Sequence, residues 1–163
     1  MRFLMVLLGL SLLAAKPVSL TEVVAELCPP MGVAPEIALR VMRVESNCRP
    51  YAIGVQIQRV HQGYFPTDSV MARATLNTAL SYTRNIGIGP MQINWRVWGE
   101  ILGVSPEALL DTRTNILVGC GLLGRHLQGQ GPLDRLIGRY HSVTPERSQA
   151  YGQRVLGATP CTD

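Results

Sequence analysis

The sequence predicts a mainly α-helical protein built as a single domain. Three observations carry that expectation. Apolar residues recur at intervals of three and four along most of the chain, as one face of a helix requires. Helix-start signals, a capping residue followed by a proline or an acid, occur at several separate points. No candidate strand longer than four residues stands out. The 163 residues are enough for one domain with a real core but not comfortably for two, and no linker or internal repeat divides them.

In chain order, Ser19-Leu20-Thr21-Glu22 has the form of a capping box and predicts a short helix ending near Cys28. Cys28-Pro29-Pro30-Met31-Gly32 breaks it. Pro35 suits the first turn of a second helix, which Asn47 to Pro50 ends, because the residue before a proline avoids helical angles. Residues 51–66 read as loop, with Gly54, Gly63 and Pro66. A third helix is expected from Thr67-Asp68 to about Tyr82, then a loop over Asn85 to Pro90 and a short helix over Trp95 to Leu102. Ser105-Pro106-Glu107 has the cap, proline and acid of another start. Asp111 is the expected cap of the next helix, in which Ile116, Cys120, Leu123 and Leu127 share a face; Gly129 to Pro132 ends it. Leu133 to Tyr140 and, after Thr144-Pro145-Glu146, a segment to about Leu156 complete the helices.

Composition excludes several classes. Hydrophobic residues make up 47% and charged residues 16%, the reverse of a disordered chain. The formal charge of +4 suits an acidic polymer as partner, while the lack of any run of five Lys or Arg argues against nucleic acid. Arg2, the apolar stretch Phe3 to Ala15 and the small residues at Ala14-Ala15 or Pro17-Val18-Ser19 predict a signal peptide over residues 1–19, cut after 15 or 19, with the working domain at 20–163. The apolar run is shorter than the ~20 residues a membrane-spanning helix needs, so export is expected over anchoring. Cys28, Cys48, Cys120 and Cys161 then suggest two disulfides, with all three pairings open. There is no CxxC or HxxxH spacing, and His61, His126 and His141 lie far apart, so neither a metal nor another cofactor is expected.

Three features carry chemistry. Glu45 falls on the apolar stripe of Ile37, Val41 and Val44 at the C-terminal end of its helix. Burial and the negative pole of the helix would both disfavour its charged form, and a protonated carboxyl is what glycosidic cleavage needs. The alternative, a frayed helix end with Glu45 in water, weighs equally on this helix alone. The second feature is Gly87-Ile88-Gly89-Pro90-Met91-Gln92-Ile93-Asn94. No strand-and-third-glycine context supports a nucleotide site. Its Gln and Asn suit sugar hydroxyl and acetamido groups, yet an ordinary connecting turn is the commoner use of such a segment. The third is Tyr140-His141-Ser142, where the tyrosine is able to hold a carboxyl but is as easily a core residue. A triad of Ser142, His141 and Asp134 is disfavoured, since adjacent Ser and His rarely face each other and no GxSxG elbow exists.

The order Glu45-Ser46, Gly89-Pro90-Met91-Gln92, Asn115-Ile116 and Tyr140 resembles the soluble lytic transglycosylase family, over about residues 20 to 157. Within it, Pro50-Tyr51-Ala52-Ile53-Gly54, Gln92-Ile93-Asn94 and Tyr140-His141-Ser142 before Thr144-Pro145 are most similar to the small enzymes that serve conjugation, type IV secretion or type IV pilus systems. The resemblance implies a lysozyme-like fold and Glu45 as the catalytic acid and base. It also implies Ser46 as a residue that helps hold the acid, Met91 and Gln92 as residues of the saccharide groove, and Tyr140 as a contact to acid and substrate. Two departures stand out: Gly-Pro-Met-Gln replaces the family's Gly-Leu-Met-Gln, and Tyr-His replaces Tyr-Asn. The usual glycosidase pairs two carboxylates roughly 5–9 Å apart, and no second one lies in a motif, which suits a transglycosylase that uses one carboxylate twice. The resemblance therefore implies a periplasmic, monomeric enzyme that cuts peptidoglycan glycan strands to 1,6-anhydro ends, with secretion or pilus proteins as further partners. A lysozyme-type hydrolase, or a wall-binding assembly factor without activity, are the alternatives.

Overall fold

The structure, a computed structural model, describes residues 19–163. The signal peptide expected over residues 1–19 therefore lies, apart from Ser19, outside the described residues.

The described chain is a single mainly α domain, and its local signals work as hydrogen bonds. The Ser19 hydroxyl accepts from the Glu22 N–H at the start of α1 (Leu20–Leu27). A 3-10 turn at Pro29–Met31, closed by Gly32 in the left-handed region, leads to α2 (Pro35–Ser46). Asn47, at φ 54°, ends α2 by turning its N–H onto the carbonyls of Arg43 and Met42. The Asp68 carboxylate caps α3 (Ser69–Leu80) through the Met71 N–H. A π-helical turn, Trp95–Gly99, runs into the single turn α4 (Glu100–Leu102). Asp111 caps α5 (Thr112–Leu127), which buries Ile116, Cys120 and Leu123 completely. Two helices, α6 (Leu133–Gly138) and α7 (Pro145–Gly157), complete the order. The Ser105-Pro106-Glu107 start produces only a 3-10 turn, Ala108–Leu110, because Asp111 is extended and begins α5 instead.

The loop expected over residues 51–66 is instead a β-hairpin. Strands β1 (Ile53–Ile57) and β2 (Val60–Tyr64) pair antiparallel. With β3 (Ile86–Ile88) and β4 (Ile93–Asn94) they form a small antiparallel sheet ordered β2-β1-β3-β4. Ile53, Val55 and Ile57 alternate with Gly54 and Gln56, which is a strand period. The two glycines are not breaks: a Cβ at Gly54 would meet the Gln92 side chain at 2.6 Å, and one at Gly63 would meet the Phe65 ring at 3.0 Å. Side chains lie on these positions, which is the use a strand makes of glycine where another group approaches closely.

Helices and sheet share one core, centred on Val41, Met42, Ile53, Leu76, Ile116 and Ile137. Two disulfides cross it, Cys28–Cys120 between α1 and α5 and Cys48–Cys161 between the end of α2 and the C-terminal tail. They fit an exported protein. No helix among the described residues is long and apolar enough to cross a membrane.

Helices α6 and α7 touch backbone to backbone. A Cβ at Gly138 would lie 1.8 Å from the Ser148 carbonyl oxygen, and one at Gly152 would lie 1.7 Å from that of Asp134. Backbone cannot swing aside as a flexible side chain does, so even a methyl group must force the helices apart. Gly152→Ala is expected to destabilise the fold by about 3 kcal/mol, the upper range for overpacking, read as a fall in the midpoint of urea unfolding. An unchanged midpoint would show that the two helices slide freely.

Candidate active site

A groove of about 530 Å³ opens between the sheet and the turn that joins α6 to α7. Gly54, Gln56 and His61 line it from the hairpin, and Tyr140, His141 and Ser142 line it from that turn. Glu45 is the only carboxylate among the lining residues.

Glu45 reaches the groove because of the way α2 sits. Ala38, Val41 and Met42 are fully buried, whereas Ile37 and Val44 are only half-buried. The core face is thus rotated from the one that Ile37, Val41 and Val44 suggest, and Glu45 stands at its edge. The Tyr151 hydroxyl, from α7, donates to Glu45 Oε1 at 2.5 Å. Burial pushes the Glu45 carboxyl above the ordinary carboxylate range, and the Tyr151 hydrogen bond and the Arg154 charge pull it part of the way back. The C-terminal pole of α2 also disfavours charge here. Tyr151 itself is held well above the usual phenol range, first by burial and then by the charge of Glu45. It stays a hydrogen-bond donor at any physiological pH.

The segment 87–94 is a built platform rather than a loose turn. Gly54 and Gly87 are register partners in β1 and β3, and the Gln92 side chain lies over both, its Oε1 2.6 and 2.8 Å from where their Cβ atoms would be. Gln92 Nε2 donates to the carbonyls of Ala52 and Gly89, while its own backbone takes φ 48°. Beneath it, the fully buried Asn115 accepts from the Met91 N–H and donates to the carbonyls of Ile88 and Leu109. Gly89, at φ 75°, has no room for a side chain, since its Cβ would meet the Asn115 amide at 2.3 Å. Across the sheet surface Asn85 donates to Gln56 and accepts from Asn94, three amides in a row on the groove.

Among the residues singled out in the sequence, Glu45, Gln92 and Tyr140 come together in the groove. Ser46 and Met91 do not. The buried Ser46 hydroxyl donates back to the Met42 carbonyl within α2 and does not hold Glu45. Met91 is fully buried with its sulfur against Gly119, so it supports the platform from below rather than lining it. Tyr140 donates to the Met91 carbonyl at 2.7 Å, not to the acid. The hydroxyl that does bind Glu45 belongs to Tyr151, which no motif in the sequence marked. Its one local signal is the small-residue spacing Ser148 and Gly152 around it, which lets α7 approach α6. Trp98, half-buried on the groove, was likewise not singled out.

A second cavity, about 690 Å³, lies between Tyr51 and the starts of α3 and α5. Three of its charged groups are committed to structure: Asp68 and Asp111 cap helices, and Arg113 pairs with Glu26. The described residues hold no cluster of His, Cys, Asp or Glu suited to a metal ion. The 530 Å³ groove thus offers one proton-donating carboxyl beside amides and an indole, an arrangement able to bind a chain of sugars and protonate a bridging oxygen. No protein-family model, curated protein or solved structure matches this chain.

Proposed function

We propose that this protein is a peptidoglycan lytic transglycosylase that cuts the β-1,4 bond between N-acetylmuramic acid and N-acetylglucosamine. The observation that carries the proposal is Glu45, a lone, half-buried carboxyl in an amide-lined groove, its hold on the proton strengthened by burial and its carboxyl hydrogen-bonded to Tyr151. A hydrolase of the usual kind would need a second carboxylate beside the scissile bond; the groove lining supplies none.

In this reading Glu45 gives its proton to the bridging oxygen as the bond from that oxygen to the anomeric carbon breaks. The substrate's own acetamido group shares the charge left on that carbon. The Tyr151 hydroxyl stabilises the Glu45 carboxylate as it forms. Glu45 then takes the proton of the muramoyl 6-hydroxyl, and that oxygen bonds to the anomeric carbon. The product is a 1,6-anhydro end, no water is consumed, and Glu45 returns to its starting state. Gln92, Gln56 and Asn85 suit the sugar hydroxyl and acetamido groups, and Trp98 suits the apolar face of a sugar ring.

The two disulfides and the expected signal peptide are consistent with work in the periplasm. A role in opening the wall for a conjugation, secretion or pilus apparatus rests on the sequence resemblance. The test is a digest of purified peptidoglycan analysed by mass spectrometry. Anhydro-muramoyl ends are expected. Reducing ends would make the protein a hydrolase, and an intact polymer would make it a binding or assembly factor.

A further inference from the structure

We propose that His141 is a positioning residue for the acid: its imidazole, stacked on Tyr151, holds the phenol in the orientation that donates to Glu45. The inference rests on Glu45 as the acid of the proposed reaction. The two rings are parallel within 1°, with centroids 4.7 Å apart, and the same phenol carries the 2.5 Å hydrogen bond to Glu45. Tyr151 is only 3% exposed, while His141 is exposed to the groove. The imidazole is therefore what stands between the ring and groove water.

The stack is imposed by the backbone. His141 and Ser142 both return their N–H groups to the Gly138 carbonyl, and Gly138 packs directly on the Ser148 backbone of α7. The turn after α6 is thus pinned over the Tyr151 segment. Partial burial against Tyr151 and the cations of α7 both disfavour the charged imidazole. Burial first, then Arg154 and Arg147 of α7, hold it below the ordinary histidine range. Glu45 of α2 and Tyr140 of its own turn are the other titratable groups around the phenol, and His61 of β2 lines the same groove. A neutral imidazole fixes the phenol without placing another cation beside Glu45, where it would favour the ionised form and empty the acid. Aromatic stacking needs only the ring face, so a phenyl group can replace the imidazole in this role.

The test titrates the Glu45 carboxyl by NMR, with 13C-labelled glutamate, in the wild type, Tyr151→Phe, His141→Ala, His141→Phe and the double variant His141→Ala/Tyr151→Phe. Tyr151→Phe removes a donor to the carboxylate, so Glu45 is expected to titrate at higher pH. His141→Ala is expected to move it the same way by less. His141→Phe is expected to restore it, and the double variant to match Tyr151→Phe alone. In wall digests His141→Ala is expected to shift the basic limb of the pH profile upward and to lower kcat about fivefold, the size of one aromatic stack, with KM little changed. A downward shift in His141→Ala would show that the ring only shields the acid from water, and additive shifts in the double variant would show that it acts independently of Tyr151. Failure of His141→Phe to rescue would make the imidazole nitrogens the working part. Each of these overturns the proposal. The titration reads the resting protein, so a digest that yields no cleavage sinks the proposed reaction without deciding the His141 result.

Discussion

Glu45→Gln is expected to lower glycan cleavage by about 10³-fold, within the range for loss of a general acid and base, while making the folded protein more stable at neutral pH. Gln92 and Tyr140 are held by backbone carbonyls and not by Glu45, and a glutamine carbonyl still accepts from Tyr151, so binding and fold should survive. The stability gain follows from the direction of the Glu45 shift. Burial raises the folded-state value above the ordinary 4.5, so the folded protein holds this proton more tightly than the unfolded chain does. The stability that comes with the proton is complete below 4.5 and is lost as the pH rises through the folded-state value. Glutamine resembles the protonated form at every pH. Urea unfolding at acidic pH should therefore find the two proteins alike, and at neutral pH the variant should unfold at higher denaturant. Activity depends on the same proton from the other side, so cleavage by the wild type should fall as the pH rises through the folded-state value. Retained cleavage in the purified variant, with anhydro ends, would remove Glu45 from the mechanism.

Loss of the Cys48–Cys161 bridge is expected to have the largest effect on stability. It closes a separation of 113 residues, for which the chain-entropy account gives about 4.7 kcal/mol, a large part of the roughly 5–15 kcal/mol that holds a domain folded. The double variant Cys48→Ala/Cys161→Ala should melt about 10–20 °C lower. The bridge also bears on the site. Cys48 lies three residues past Glu45, and both Asn47 and Cys48 sit in the left-handed region, at φ 54° and 63°. For Cys48 that conformation is unfavourable unless its surroundings enforce it. The tail that enforces it is fixed by Cys161 N–H to the Leu39 carbonyl and by Arg43 to the Thr159 carbonyl. Activity at a temperature where the variant is still folded should therefore fall as the end of α2 loosens. A melting point within a few degrees of the wild type would show that the remaining tail contacts suffice.

What the sequence determined by itself was whatever depends on near neighbours. Ser19, Asp68 and Asp111 cap helices through N–H groups three residues away, and Pro35 and Asn47 bound α2 through their own backbone preferences. A carboxyl on an apolar stripe is a local pattern too, and it marked Glu45 as a candidate, although Ile37 and Val44 of that stripe are not on the face that α2 buries. The hairpin was not, since Gly54 and Gly63 look like breaks until Gln92 and Phe65 are seen lying on them, and Gln58-Arg59 at its tip carries no glycine or asparagine to signal a tight turn. Only the tertiary structure chose among the three disulfide pairings, brought Tyr151 to Glu45 across 106 residues and sent the Tyr140 hydroxyl to the Met91 carbonyl instead. The reason is the same in each case. Caps and turns are closed by the residues that spell them, whereas the partner of a buried hydroxyl, a thiol or a glycine's empty face is set by which distant backbone packs against it.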